Sequence, residues 1–213
     1  MDFNTFLSSV SKIKNLQLPG EASQIKMSPP YRLELIERNR KLMKSAKQAA
    51  VLSLFYPNEF NQTHLILILR KTYKGVHSAQ VGFPGGKVEH DDADLKFTAL
   101  RETKEEVGVP EHQVQVLKQL TPMYIPPSNF TVHPFLGITE SIPKFTKQDE
   151  EVEDLIEVPL SHFMEASSVI TTSVATSYKV EVQVPAFKLN DHVVWGATAM
   201  MLSEVKDLLK MVL

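Results

Sequence analysis

The sequence contains no cysteine, no internal repeat and no apolar run long enough to cross a bilayer. The lack of cysteine excludes disulfides, thiolate metal ligands and a cysteine nucleophile, and it agrees with a reducing compartment. The formal net charge of −2 gives no global attraction to nucleic acid or to an anionic membrane. The first residues lack a signal-peptide layout, and Met211-Val212-Leu213 is not a Ser-Lys-Leu peroxisomal address. We therefore expect a cytoplasmic protein with neither a membrane nor a nucleic-acid partner.

The chain has 213 residues, which is enough for one large domain or for one domain with an extension. Its first residues repeat apolar side chains at helical spacing, namely Phe3, Phe6, Leu7, Val10 and Ile13. Such a helix packs on the domain or on a second subunit, so a homodimer is one expectation. A charged helix is predicted near 31–47. We predict an N-terminal helical extension over 1–45 and one domain over 46–213.

Strand-like segments, rich in branched apolar residues or alternating in polarity, recur along the domain. They lie at 49–56, 64–70, 114–120, 131–138, 177–189 and 193–196, with 155–159 ambiguous. An amphipathic helix is predicted over 198–213. Because helices are interleaved with strands, several of them joined by hairpin-length turns, the pattern predicts an α/β sandwich with a mixed β-sheet and helices on both faces.

An acidic helix occupies the middle of the chain. Glu102, Glu105 and Glu106 stand at i, i+3 and i+4, so their carboxylates project from one helical face. Like charges at this spacing repel by roughly 0.2–0.5 kcal/mol per pair. A divalent cation turns this repulsion into attraction because hard cations prefer oxygen ligands. The alternative, a solvated acidic helix without a ligand, stays open at this point.

The ends of this helix are marked in the sequence, and we predict that it spans 95–107. Asp94 suits the positive end of the helix dipole, and Gly108 provides a stop signal. Arg101 is expected to pair with Glu105 or with another carboxylate. The side opposite the carboxylates is expected to dock on a core through Phe97, Leu100 and Val107.

Gly86 and the run RETKEEVGV at 101–109 form a pattern of known type. They resemble the signature of the Nudix hydrolases, in which a Gly precedes Arg-Glu-apolar-x-Glu-Glu-x-Gly-apolar. Three positions differ from that signature. The stretch after Gly86 is one residue longer, Thr103 replaces the usual aliphatic residue, and the early Glu position is Ala93, with Asp92 as the nearest acid.

A second motif, LILRKTYKGVHSAQVGFPGGK at 67–87, resembles the coenzyme A pyrophosphatase branch of the same family. The later segments TVHPFLGITE, EEVEDLIEVPLSHF and HVVWGATAMML are also similar to that branch. Two positions depart from the motif: Gly75 stands where the branch has Arg, and Ala79 where it has Gly. If that Arg helps to bind the 3′-phosphate or the pyrophosphate, Lys71, Lys74 or Lys87 would have to take its place.

The resemblance implies a Nudix-type fold with a site for Mg²⁺ or Mn²⁺. The implied metal ligands are the backbone carbonyl of Gly86 and the carboxylates of Glu102, Glu105 and Glu106. The implied catalytic residues are these three glutamates, Arg101 and Glu151. The general base would be Glu102 or Glu151, and Glu151 could equally belong to a solvated loop.

Substrate binding is expected from the upstream motif, through Arg70, His77, Gln80, Phe83 and Lys87. Arg70 could instead form a surface ion pair, and His77 could cap a loop. Trp195 is expected in the core rather than as a platform for a base. The loop with Pro126-Pro127, together with Met123, Tyr124 and Phe130, is a candidate pocket wall.

The function that the resemblance implies is metal-dependent hydrolysis of a pyrophosphate bond in a small nucleotide. Coenzyme A or acyl-CoA is the favoured substrate, giving 3′,5′-ADP and (acyl-)4′-phosphopantetheine. The first alternative is the same chemistry on ADP-ribose or a dinucleotide. The second is a non-enzymatic ligand-sensing module on the same scaffold, since a fold does not guarantee an activity.

Overall fold

The computed structural model describes residues 1–71, 80–175 and 181–213. The helices are α1 (Phe3–Val10), α2 (Glu21–Ile25), α3 (Arg32–Arg38), α4 (Arg40–Met43), α5 (Leu95–Val107), α6 (Leu160–Met164) and α7 (Gly196–Lys210). The strands are β1 (Lys47–Pro57), β2 (Thr63–Arg70), β3 (Val81–Gly82), β4 (Gly85–Lys87), β5 (Gln115–Gln119), β6 (Met123–Ile125), β7 (Phe130–Ile138), β8 (Val152–Pro159), β9 (Val169–Ala175), β10 (Glu181–Leu189) and β11 (His192–Trp195). None of the helices in the described ranges is long and apolar enough to cross a membrane.

The larger sheet is built around β1 and has the strand order β3-β2-β1-β7-β5. β1 runs parallel to β7 and antiparallel to both β2 and β4. β6 pairs with β7, and β8 pairs with β2. A smaller antiparallel sheet has the order β11-β10-β9. The larger sheet is therefore mixed, as the sequence predicted.

Side chains of β1 point alternately to the two faces of the sheet, as the pleat of a strand requires. The even-numbered residues of 50–56 join one apolar cluster with Val107 of α5. Phe55 joins a second cluster on the opposite face, which contains Phe6 of α1 and Leu208 of α7. Helices thus cover both faces of the sheet, and the predicted α/β sandwich is confirmed.

The N-terminal helix α1 packs on the core of its own chain. Phe3, Phe6, Val10 and Ile13 are each at most 2% exposed. The ring of Phe6 lies 5.2 Å from the ring of Phe55, measured between centroids. The apolar face of α1 is therefore covered without a second subunit. Helix α1 lies in the predicted extension, 1–45, but packs on residues of the predicted domain, 46–213.

The next part of the extension is fastened to α7 through a buried carboxylate. Glu204 is fully buried and accepts hydrogen bonds from Gln24 Nε2 at 2.9 Å and from Thr121 Oγ1 at 2.6 Å. Ser203 Oγ donates to the carbonyl of Ser23 at 2.7 Å. A buried carboxylate needs such partners to offset its lost hydration. Helices α2 and α7 and the turn at 121 therefore form one unit.

The single charged helix predicted near 31–47 is wrong. The chain forms two short helices there, α3 and α4, and β1 already begins at Lys47. Asn39 stands between the two helices with φ −99° and ψ 11°, and its Nδ2 donates to the carbonyl of Leu35 at 2.9 Å. An asparagine side chain that bonds the backbone in this way competes with helix continuation.

Several strands differ from the sequence prediction. β6 lies where a loop was predicted, β8 begins at Val152 rather than at 155, and β9 was not predicted. The first four residues of the predicted strand 177–189 lie outside the described residues. β9 and β6 owe their extended form to pairing with β10 and β7. Such pairing depends on neighbouring strands more than on intrinsic propensity.

Phe6→Ala is expected to lower the free energy of unfolding by about 3–5 kcal/mol, because it leaves a cavity in the core beside Phe55. Leu33→Ala, at a side chain 74% exposed, is the matched control and should stay within about 0.5 kcal/mol of wild type. Denaturant unfolding followed by Trp195 fluorescence measures both. A Phe6→Ala variant as stable as wild type would contradict the packing of α1 on the domain.

Lys206 on α7 is a buried amine. It is 5% exposed, and its Nζ donates to the carbonyl of Glu165 at 2.6 Å and to Ser168 Oγ at 3.0 Å. The same nitrogen lies 5.6 Å from the ring centroid of Phe163 and 5.3 Å from that of Phe187. Burial lowers the pKa of Lys206 from 10.5 to about 8.

Between pH 8 and 10.5, Lys206 therefore binds more protons in the unfolded state than in the folded state. The free energy of unfolding consequently increases as pH rises. Lys206→Met lacks this titration. The difference between wild type and Lys206→Met is expected to shift in favour of wild type by at most about 1.4 kcal/mol per pH unit across this window. Urea unfolding at a series of pH values measures it, and parallel curves would refute it.

Candidate active site

Helix α5 begins and ends where the sequence predicted. Asp94 Oδ1 accepts a hydrogen bond from the Phe97 N–H at 2.7 Å, and Gly108 ends the helix in the left-handed region with φ 80°. Phe97 and Leu100, expected in the core, are only half-buried. The buried side chains of the helix are Thr98, Ala99, Thr103, Glu106 and Val107. The helix is therefore rotated so that one of its carboxylates faces inward.

Helical spacing predicts that all three carboxylates lie on an outward face, and Glu106 departs from this. Its side chain is 3% exposed; Oε2 accepts from the Gly85 N–H at 2.7 Å, and Oε1 lies 3.4 Å from Arg70 Nη1. Burial raises the pKa of Glu106 to about 8. The Gly85 N–H and Arg70 oppose that rise, while the nearby charges of Glu102 and Glu151 add to it. The site thus gathers carboxyl groups in a poorly hydrated place, where their charged forms are unfavourable without a compensating cation.

Arg101 organises the outer part of the acidic face. Its Nε and Nη2 bind Asp92 Oδ1 and Oδ2 at 2.8 and 3.0 Å, and the Asp92 side chain is 1% exposed. Nη1 lies 3.1 Å from Glu102 Oε1 and 3.0 Å from Glu105 Oε2, and Nη2 donates to the Lys87 carbonyl at 3.2 Å. The bond to Asp92 raises the pKa of Arg101 and lowers that of Asp92.

The role of Asp92 was missed in the sequence, where it stood only as the acid nearest to the early Glu position. Its two carboxylate oxygens bind the Arg101 guanidinium bidentately and fix its orientation. The signal that could have found it is its one-residue offset from Ala93, which matches the extra residue after Gly86.

Gly86 lies directly against the carboxylate of Glu102. A Cβ atom at Gly86 would collide with all three atoms of that carboxyl group, so only glycine permits this approach. Burial raises the pKa of Glu102, and Arg101 opposes the rise. Glu105, in contrast, has a side chain that is 54% exposed.

Glu151 reaches the same region from the turn that precedes β8. Its Oε2 lies 3.9 Å from Arg70 Nη2, and its side chain is 57% exposed. The Glu151 N–H donates to Gln148 Oε1 at 2.7 Å, and the Glu151 carbonyl accepts from the Lys71 N–H at 2.8 Å. Arg70 therefore lies between Glu106 and Glu151, and its buried Nε has no hydrogen-bond partner among the described residues.

A cavity of about 410 Å³ adjoins Gly86. Four of the predicted substrate-binding residues line it, namely Arg70, Gln80, Phe83 and Lys87. His77, the fifth, lies outside the described residues. The loop at Pro126-Pro127 lines the cavity as expected, whereas Met123 and Tyr124 are buried in β6. Trp195 is half-buried and lines the cavity, so it is not a pure core residue.

The donors at this place suit a hard divalent cation. The carboxylates of Glu102, Glu106 and Glu151 are close enough to raise the pKa of Glu106, and Gly86 brings the main chain against Glu102. Among the described residues, no three acidic or histidine side chains already converge on one point. Glu102 and Glu105 instead both contact Arg101, at 3.1 and 3.0 Å. The donor chemistry fits Mg²⁺ or Mn²⁺.

Gly86→Ala is expected to weaken Mn²⁺ binding by about tenfold or more, since the added methyl displaces the Glu102 carboxylate. Gly82→Ala is the matched control, because a Cβ at Gly82 meets nothing within 4 Å. Electron paramagnetic resonance of free Mn²⁺ during a titration measures both affinities. Equal affinity in Gly86→Ala and wild type would argue against a cation at this position.

Comparison with known proteins gives a consistent result. The NUDIX domain matches residues 46–173. Two curated relatives, the Nudix hydrolases NudL of Yersinia pestis and Yersinia pseudotuberculosis, both described as uncharacterised, are 41% identical over 103 residues. This is 48% of the present chain and 51% of the relative, so the chain spans about half the length of the curated relatives it matches.

A likeness of fold extends further along the chain. The crystal structure of RenU, a Nudix hydrolase from M. smegmatis, superposes with a TM-score of 0.54 at 14% identity. The match covers 79% of this chain and 88% of that one, which supports the sandwich architecture. With the family match over more than half of the chain, it follows that this protein belongs to the NUDIX domain family.

Proposed function

We propose that this chain is a divalent-metal-dependent pyrophosphohydrolase that cleaves the pyrophosphate bond of a nucleoside diphosphate derivative. The observation that carries the proposal is the carboxylate of Glu106, which is buried beside Glu102 at the edge of a cavity that Arg70 lines. Like charges buried together cost free energy. A helix that served only the fold would gain by an apolar residue at this position.

The reaction needs a water molecule to attack one phosphorus atom in line with the bridging oxygen, whose bond to that phosphorus then breaks. The products are two phosphate monoesters, and the proton of the attacking water passes to a base. A divalent cation supplies charge neutralisation at the phosphate oxygens and makes the attacking water more acidic. Its ligands would be Glu102, Glu105, Glu106 and the carbonyl of Gly86.

The other residues of the site have roles that follow from their positions. Arg70 and Lys87, at the cavity wall next to Gly86, bind oxygens of the pyrophosphate. Arg101 holds the carboxylates of the acidic face in position. Glu102 or Glu151 accepts the proton from water, and both charges act on the same region around Glu106.

Coenzyme A or acyl-CoA is the favoured substrate, with 3′,5′-ADP and (acyl-)4′-phosphopantetheine as products. This preference is supported by the resemblance of the segment 67–87 and by the apolar lining of the cavity, which includes Ile125, Phe130 and Met200. ADP-ribose and dinucleotides present the same bond and are the alternatives. The presence of Glu102, Glu105 and Glu106 argues against a module that only senses a ligand.

Glu106→Gln and Glu105→Gln are expected to lower turnover of coenzyme A with Mg²⁺ by at least about 100-fold, because each removes a charged ligand. Glu140→Gln is the matched control, since Glu140 is exposed beyond the far end of β7. Product analysis by chromatography measures turnover, and circular dichroism melting shows that the variants fold.

Each outcome of this assay has a separate meaning. Normal turnover in both Gln variants would remove the metal assignment. Turnover of ADP-ribose without turnover of coenzyme A would keep the chemistry and replace the substrate. Nucleotide binding without turnover of any substrate in the panel would favour the ligand-sensing module and overturn the proposed activity.

A further inference from the structure

Arg32 is a cavity residue that no sequence motif marks. It opens α3 and lines the same cavity as Gly86. Its Nη2 donates to the carbonyl of Tyr124 on β6 at 2.8 Å. No acidic side chain of the described residues lies within ion-pair distance of its guanidinium, and burial lowers the pKa of Arg32 against the opposing charge of Glu21. A half-buried cation therefore faces the cavity with a neutral carbonyl as partner.

Arg32 lies far from Gly85 and Gly86, which together are called the glycine turn. Four paired residues cross the sheet from that turn to β6, namely Lys87, Ala49, Val132 and Met123. Three steps of about 4.8 Å between strands put the backbone of β6 roughly 14 Å from that of β4. Arg32 is tied to Tyr124, the next residue of β6. It is therefore too far away to bind the same phosphate oxygens as groups beside Gly86.

The cavity between these two ends is apolar and carries positive charge only. Among the described residues that line it, none is Asp, Glu or His, and the basic ones are Arg32, Arg70 and Lys87. Leu35, Val51 and Ile125 are among the apolar side chains of its walls. A ligand that fits this arrangement has an apolar or aromatic body with negative charge at both ends.

The N-terminal extension has attachments other than the contact of Arg32 with Tyr124. The extension is already attached to α7 by the buried contacts of Gln24 with Glu204 and of Ser23 with Ser203. At the cavity the guanidinium loses hydration, and the charge of Glu21 offsets that loss only in part.

We propose that Arg32 is a specificity-determining residue that binds an additional phosphate group of the nucleotide, apart from the pyrophosphate that is cleaved. This inference rests on the proposed function, since it assigns the far end of the same cavity. The substrate class is then a nucleoside diphosphate derivative that also bears a phosphate monoester on its ribose.

Matched nucleotides test this assignment. Wild type with Mg²⁺ is expected to hydrolyse coenzyme A with a kcat/KM about 10- to 100-fold higher than that for dephospho-coenzyme A, the gain expected of one charge-assisted contact. Arg32→Met should lose most of this preference by raising KM for coenzyme A while leaving dephospho-coenzyme A nearly unchanged. Arg32→Lys should keep part of it. Arg38→Met is the control, since Arg38 lies on the same helix with a side chain 69% exposed.

A binding measurement without metal gives a second readout. Calorimetry should show adenosine 3′,5′-bisphosphate binding wild type about tenfold or more tightly than AMP, and Arg32→Met binding both alike. The assignment would be overturned if Arg32→Met lost kcat/KM or affinity equally for both nucleotides of a matched pair, or if wild type showed no preference within the pair. Either result would leave the proposed hydrolysis intact. Absence of turnover on every nucleotide would instead refute the proposed function, and calorimetry would still decide the role of Arg32.

Discussion

The hydrogen bond from the Gly85 N–H to the buried carboxylate of Glu106, at 2.7 Å, joins the acidic helix to the sheet. It offsets part of the free energy lost when that carboxylate leaves water. Gly85 itself fits only as glycine, because a Cβ there would collide with the Ala50 carbonyl and with Val51 of β1. Gly86 fits in the same way against Glu102. Two successive positions without a side chain thus allow β4 to lie between β1 and α5, and the rest of the site depends on that approach.

The consequence is an uneven distribution of charge along one helix. Glu106 faces the sheet, Glu102 lies against the glycine turn, and Glu105 is largely in solvent. Arg101 bridges the outer two and is itself held by Asp92. One guanidinium thus contacts both outer carboxylates and offsets their mutual repulsion.

The parts of this structure that sequence predicted are those that depend on local rules. The bounds of α5 follow from Asp94 as cap and Gly108 as left-handed stop, and the strand β1 follows from its content of branched apolar residues and leucine. The inward turn of Glu106 was not predictable, because helical spacing places it with Glu102 and Glu105 and only packing on β4 separates them. Arg32 carried no signal either, since its contact with Tyr124 spans 92 positions of sequence. Long-range contacts of this kind decide which polar residues meet a cavity.

The walls of the cavity come from different parts of the chain. The wall that carries Arg70 and Gly86 falls within the matched family region 46–173, whereas α3 and the start of α7, which build other walls, fall outside it. The carboxylates are fixed by their contacts with the glycine turn and Arg101. The outer walls are attached through α2, α7 and Glu204. Substitutions in those walls can therefore change the shape of the cavity without moving the carboxylates beside Gly86.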